Sequence, residues 1–226
     1  MQHLCPRTVI LATLVSVVWP LCAQVCAQVR AQAEDAVPFE VPSSPAQASP
    51  WWEFEVDASF LVPIERSTIC PSGSECVLNG GLGLGARAFY RSPNGLSWLG
   101  AYDILAFDSD SVYEVSLLHA LRIGLRYTLD SSTRVQPWIG ATLGGLAFGG
   151  PSTIATGGAV VTLAVGAHVE LNDSISLVGA AEFWTMVTGT FRTRDGVERG
   201  VPFGADLMMQ FSLGLNVRFG TLGPHH

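Results

Sequence analysis

The sequence predicts an all-β fold, an eight-stranded antiparallel up-and-down β-barrel that spans a membrane, and three observations carry that reading. Residues 206–219 alternate almost without error: Leu207, Met209, Phe211, Leu213, Leu215, Val217 and Phe219 form one row, and Met208, Gln210, Ser212, Gly214, Asn216 and Arg218 form the other. Strict period-two alternation gives a strand with one apolar face and one polar or small face. This strand exceeds the ~5–6 residues usual in soluble sheets and the ~9–11 that a tilted strand needs to cross a bilayer. The pattern recurs along the chain behind an apparent export signal. The composition agrees, with 48% hydrophobic and only 14% charged residues among 226 and a mean hydropathy of +0.35, against about 25% charged in an ordinary soluble domain. Outside the N-terminus no apolar run reaches the ~18 residues of a spanning helix.

The first 33 residues read as a secretory signal peptide. Arg7 gives the positive start, residues 9–20 the apolar stretch, and Ala31-Gln32-Ala33 the cleavage site, with Val25-Cys26-Ala27 as a weaker one. An uncleaved anchor is the alternative. A lipoprotein fits poorly, because Leu21 and Val25 precede Cys22 and Cys26 where small residues are wanted. Cleavage after Ala33 leaves 193 residues with 10 Arg, no Lys and 19 acids, a formal charge of −9. That balance argues against a nucleic-acid partner. The absence of Lys reads most simply as genomic base composition.

Residues 34–50, rich in Pro, Ala, Ser and Gln, read as a flexible periplasmic lead. The barrel is expected over 51–219, and 220–226 form a short tail. The strands are expected at about 51–62, 80–91, 95–107, 112–129, 134–148, 158–171, 174–187 and 206–219. Strand one sets Trp52, Phe54, Val56, Ala58, Phe60 and Val62 against Glu53, Glu55, Asp57 and Ser59. Strand four sets Val115, Leu117, His119, Leu121, Ile123, Leu125 and Tyr127 against Glu114, Ser116, Ala120, Arg122, Gly124, Arg126 and Thr128. Connections at 92–94, 130–133 and 172–173 are tight and carry turn residues. Those at 63–79, 108–111, 149–157 and 188–205 are mostly longer. Outer-membrane barrels have short periplasmic turns and longer external loops, which puts both termini in the periplasm. Cys70 and Cys76, the cysteine pair of the exported part, are then an external disulfide.

A soluble eight-stranded barrel of lipocalin type shares the alternation. The polar rows, however, are poor in charge and rich in Gly, Ala and Ser, which makes a poor aqueous surface. The bulk sits in the apolar rows. Trp51, Trp52, Tyr90, Trp98, Tyr127, Trp138 and Phe219 lie near strand ends like interfacial girdles.

The runs Val135-Gln136-Pro137-Trp138-Ile139-Gly140-Ala141-Thr142-Leu143-Gly144-Gly145 and Val165-Gly166-Ala167-His168-Val169-Glu170-Leu171-Asn172-Asp173-Ser174-Ile175-Ser176-Leu177 resemble the strand–turn–strand pattern of the small OmpA/OmpX-type outer-membrane β-barrel family. The resemblance covers roughly 51–219 and implies the fold and a Gram-negative outer-membrane address. It departs in two places. No peptidoglycan-binding domain follows, and residues 220–226 continue past Phe219, which matches the family's terminal aromatic.

In this reading the polar rows line the lumen. They bring in Glu53, Glu55, Asp57, Arg87, Asp103, Glu114, Arg122, Arg126, His168, Glu170, Glu182 and Arg218. Buried charges must be paired or hydrogen-bonded, so these residues are expected to form an ionic network, with Glu53, Glu55, Arg87 and Arg218 toward the periplasmic half. Eight strands enclose an interior just wide enough for side chains to fill. A polar core holding the barrel shut is therefore preferred to a gated small-solute pore, although Gly83, Gly85, Gly124, Gly140, Gly144 and Gly166 leave room for small water cavities.

A lipid A-modifying enzyme is the remaining class. His119 is the odd residue of an apolar row, with Ser116 on the opposite face. His168, Glu170 and Ser176 share the inward side without a hydrolase motif. No catalytic, metal or cofactor site is expected: His225 and His226 are only a tail, and Gly81, Gly83 and Gly85 precede no helix. The expected role is structural or interactive, in a monomer. Lipopolysaccharide and the barrel-assembly machinery are the expected partners, and the 63–79 and 188–205 loops the surfaces for an external ligand.

Overall fold

The computed structural model describes residues 50–108, 116–129, 133–193, 196–201 and 204–219. The expected signal segment, all but the last residue of the 34–50 lead, Glu114 and the 220–226 tail lie outside the described residues. Eight strands form the wall: Trp51–Glu65 (β1), Gly81–Arg91 (β2), Leu96–Phe107 (β3), Ser116–Thr128 (β4), Val135–Gly150 (β5), Thr153–Glu170 (β6), Ile175–Thr188 (β7) and Asp206–Phe219 (β10). Phe191–Arg192 (β8) and Glu198–Arg199 (β9) pair as a small separate hairpin between β7 and β10. The wall closes in the order β1-β10-β7-β6-β5-β4-β3-β2. Closure is by antiparallel pairing of β1 with both β2 and β10, from Trp52 opposite Phe219 to Glu65 opposite Leu207. Closure removes every free edge, which a strand in lipid requires because nothing there can satisfy an open backbone group. The chain is an eight-stranded antiparallel up-and-down transmembrane β-barrel.

The alternation in the sequence is the alternation of burial. Along β1, Phe54 is 54% exposed while Glu53 beside it is 0% exposed. Leu84, Leu121, Leu163 and Leu213 stand outward on their strands, and Arg87, Arg122, Thr162 and Gln210 face in. Nothing apolar inside the barrel drives these leucines outward. They form the continuous apolar outer face a bilayer solvates, and the charges they alternate with occupy the interior.

The two ends differ in build. At the end where β1 begins and β10 finishes, here the terminal end, the β2–β3 and β6–β7 connections are tight. Gly95 has a φ of 84°, a left-handed conformation that suits glycine, and Ser92 N–H donates to the Leu96 carbonyl at 2.8 Å. Asn172 Oδ1 accepts the N–H groups of Ser174 and Ile175 at 2.9 Å each, the side-chain-made turn typical of Asn. At the other end, the loop end, residues 66–80 and the β8–β9 hairpin fold together.

Three expectations change. The 149–157 connection is mostly strand: β5 runs to Gly150 and β6 starts at Thr153, with a register shift at Phe148/Gly149. The β-branched Thr153, Ile154 and Thr156 keep that stretch extended. Trp51 and Trp138 do not belong to a girdle. Both occupy inward rows, Trp51 two residues before Glu53 and Trp138 two after Gln136, and Trp138 is buried. Nor are the inward rows polar throughout. Toward the loop end Leu61, Leu105, Phe107, Leu118, Leu146, Phe148, Val160, Met186 and Met208 turn inward and pack as one apolar cluster with Ile69, Val77 and Leu78 of the 66–80 segment and Phe191 of β8.

Candidate functional site: the charged lumen

β1 presents Glu53, Glu55 and Asp57 at every second position, so all three enter the lumen stacked along its axis. The strand on one side, β2, answers with Arg91 and Arg87. Its neighbour β3 supplies Asp103, and β4 supplies Arg126 and Arg122 with the same four-residue spacing. The charges gather in two layers.

In the terminal layer Glu53 is the hub. Its carboxylate meets Arg126 at 2.9 Å, Arg91 at 3.3 Å and Arg218 at 3.7 Å, and also accepts Asn216 Nδ2 at 3.2 Å and Trp51 Nε1 at 2.9 Å. Arg218 reaches on to Glu170 at 2.8 Å, which Gln136 also contacts at 2.9 Å. Glu55 joins the layers, one oxygen on Arg126 at 3.0 Å and the other on Arg87 at 3.1 Å.

In the central layer Arg87 contacts Asp57, Glu182 at 2.7 Å and Asp103 at 3.6 Å. Arg122 pairs with Asp103 at 2.7 Å and Glu182 at 2.9 Å, and its Nη1 also donates to Thr142 and Thr162. Sequence spacing put these residues on one face. Which carboxylate each arginine meets depends on the stagger between strands.

Aromatic rings complete the packing. The Arg126 guanidinium lies 3.5 Å from the Phe89 ring centre and 5.3 Å from that of Trp138, and Arg122 lies 4.3 Å from that of Trp184. Cations over ring faces gain most where water is excluded. Trp138 fits because Gly166 faces it, where a Cβ would come within 2.5 Å of the indole. After this filling, the cavity between the layers measures about 20 Å³ and is lined by Glu55, Arg87, Arg122, Arg126 and Glu182 among others. That is room for about one water, which needs roughly 10–15 Å³.

The loop end is held differently. Arg199, fully buried, donates to the carbonyls of Ile69 at 3.1 Å and Glu75 at 2.7 Å and to Thr193 Oγ1 at 2.8 Å. Asp206 at the start of β10 accepts the Thr68 N–H at 3.2 Å and its hydroxyl, and Gly200 N–H donates to the Thr68 carbonyl at 2.8 Å. Cys70 and Cys76 are disulfide-bonded with Cα atoms 4.8 Å apart. The 66–80 segment is thus tied down by its own cross-link, by the hairpin and by the wall. Much of what the sequence offered as free loop is a plug over the lumen, leaving Ser72, Gly73, Glu75, Arg192 and Glu198 among its exposed residues.

Among the described residues, His119 and His168 do not assemble a hydrolase centre. His119 pairs with Tyr102, Nδ1 to Oη at 2.9 Å, on the outer face. His168 is buried beside Trp138, and neither its Nε2 nor the Ser176 hydroxyl has a hydrogen-bond partner. Glu170 is engaged by Arg218 and Gln136 instead. Arg91, Arg199 and Asp206 were missed from the sequence. Arg91 shares the parity of Arg87 and was readable. Arg199 and Asp206 act through loop contacts that no periodicity signals.

An apolar exterior, a closed wall and a charged, packed interior define the class: an eight-stranded outer-membrane-type barrel with a filled lumen. No protein-family model matches the chain, and no curated protein sequence matches it. Solved structures do. Neisserial surface protein A is similar over 74% of this chain and 97% of its own at 16% identity, with a TM-score of 0.54. The outer membrane protein OprG from Pseudomonas aeruginosa is similar over 77% of this chain and 98% of its own at 8% identity, also with a TM-score of 0.54. At such identities the shared property is the fold.

Proposed function

We propose that this protein is a non-enzymatic outer-membrane barrel with a structural or surface-interaction role rather than a conduit. The observation that carries this is the closed interior. Two charged layers and an apolar plug fill the lumen and leave a cavity of about 20 Å³ between the layers. Lipopolysaccharide and lipid form its surroundings, and the barrel-assembly machinery inserts it. It acts as a monomer with both termini in the periplasm and the disulfide loop outside. The unequal ends of the barrel support that orientation. An external ligand would meet the exposed rim of the 66–80 segment and the β8–β9 hairpin.

Membrane fractionation tests the reading. The processed protein is expected in the outer-membrane fraction, migrating faster on gels unheated than boiled. Recovery as a detergent-free soluble protein would overturn it. Protease cleavage at the 66–80 segment in intact cells, with the N-terminal lead protected, is the expected sign of the orientation.

A further inference from the structure

We propose that the central layer of the lumen binds one additional positive charge, a proton or an alkali-metal ion, between Asp57 and Asp103. The charge count by layer points there. Among the described residues, the terminal layer holds three carboxylates (Glu53, Glu55 and Glu170) against three guanidiniums (Arg91, Arg126 and Arg218). The central layer holds three carboxylates (Asp57, Asp103 and Glu182) against two, Arg87 and Arg122. Asp206 and Arg199 belong to the loop end. An uncompensated charge in a closed, low-dielectric interior is costly, so the surplus must be neutralised.

The unmet groups locate it. Glu182 has a guanidinium on each oxygen. Asp57 and Asp103 each keep a buried Oδ1 that accepts no hydrogen bond, that of Asp103 having only the Arg87 guanidinium 3.6 Å away. Asp57, Gly85 and Asp103 are directly opposite one another across β1, β2 and β3. A Cβ at Gly85 would lie 2.5 Å from Asp57 Oδ2 and 3.0 Å from Asp103 Oδ1, so both carboxylates lean over that glycine.

A second kind of observation accompanies the acids. The Ser59 hydroxyl, two residues along β1, and both amide atoms of Gln210 on β10 are buried and unpartnered. Gln210 lies opposite Glu182 of the central layer on β7 and opposite Leu61 on β1, where the apolar cluster begins, so it faces the lumen at the loop-end border of the central layer. Carboxylate, hydroxyl and amide oxygens are the ligands hard cations take. The charged groups facing the pair from the surrounding strands are Glu55, Arg87, Arg122 and Glu182. His168 is a poor place for the balancing charge, because it is buried in the other layer, where Arg126, Arg91 and Arg218 outnumber the nearby Glu53 carboxylate.

The test uses the full processed chain refolded in detergent micelles, with thermal unfolding followed by gel mobility. One arm compares lithium, sodium, potassium and tetraethylammonium chlorides at equal ionic strength and pH. The other titrates from roughly pH 5 to 8, the range separating ordinary carboxylates from neutral water, in tetraethylammonium chloride alone. The wild-type midpoint is expected to rise by at least roughly 2–4 °C in one arm. A rise with small cations identifies an alkali ion, and a rise toward acid identifies a proton.

Asp57→Asn and Asp103→Asn, each balancing the layer, are expected to lose that response, and Glu170→Gln in the balanced layer to keep it. A flat wild-type midpoint in both arms, or the same response in the two aspartate variants as in wild type, overturns the proposal. If an aspartate variant does not refold, the wild-type arms alone still decide against it when flat.

Discussion

The lumen of this barrel is filled in two ways, and the contrast between its ends is instructive. The terminal and central layers are packed with arginines and carboxylates, where every charge depends on partners from other strands. The loop end is packed with Leu, Phe, Met and Val and sealed by a segment that returns from outside the wall. Between its charged layers the lumen has room for about one water, too little to solvate a lone charge, so the ionic part demands partner-by-partner matching. The apolar part demands only volume. The first is therefore brittle to single substitutions and fixes strand register. The second tolerates apolar swaps that keep its volume but depends on the plug staying seated.

The variants that probe this contrast are ranked by expected effect. Arg122→Met leaves Asp103 and Glu182 with Arg87 as their one remaining guanidinium and removes the stack on Trp184. Breaking a buried pair costs about 3–5 kcal/mol, so urea unfolding of the folded gel form is expected to shift by that amount, and a near-neutral outcome would mean the network is not a unit. Leu118→Ala opens a cavity beneath the plug at a cost of about 2–5 kcal/mol. The outward-facing Leu121→Ala leaves a dent that lipid refills and is expected to cost far less. Equal losses at the two sites would contradict the assignment of inside and outside.

Replacing Cys70 and Cys76 together by Ser removes a short cross-link worth about 2 kcal/mol in the chain-entropy model. Its expected signature is faster protease cleavage within the 66–80 segment than in wild type while the barrel keeps its folded mobility. Loss of the whole barrel would mean the plug is part of the wall's stability. Arg192→Ala, in an exposed ion pair with Glu198 at 3.9 Å, is expected to change stability by no more than about 0.5 kcal/mol.

The sequence and the structure agree where local periodicity is enough. Alternation alone puts Glu53 inward and Phe54 outward. The same parity places Trp51 and Trp138 inside. Reading them as girdle residues let aromatic character override position, and the correct signal lay two residues away in Glu53 and Gln136. The change from Glu53, Glu55 and Asp57 to Leu61 along one inward row also announced the apolar loop end.

What no local pattern carries is the plug. Ile69 and Phe191 join one apolar cluster with the wall although more than a hundred residues of chain separate them, and the Arg199 and Asp206 anchors exist only once the barrel has closed. The particular partners of Arg87 and Arg122 were hidden for a related reason, because they follow from the stagger of β1, β4 and β7 around the closed wall rather than from spacing on any one strand.

The central claim is that this lumen is sealed, and single-channel recording in planar bilayers tests it most directly. With the folded full chain inserted, the account predicts a flat baseline without sustained current steps. Steady, large openings that persist in symmetric salt would contradict it and make the barrel a small-solute pore.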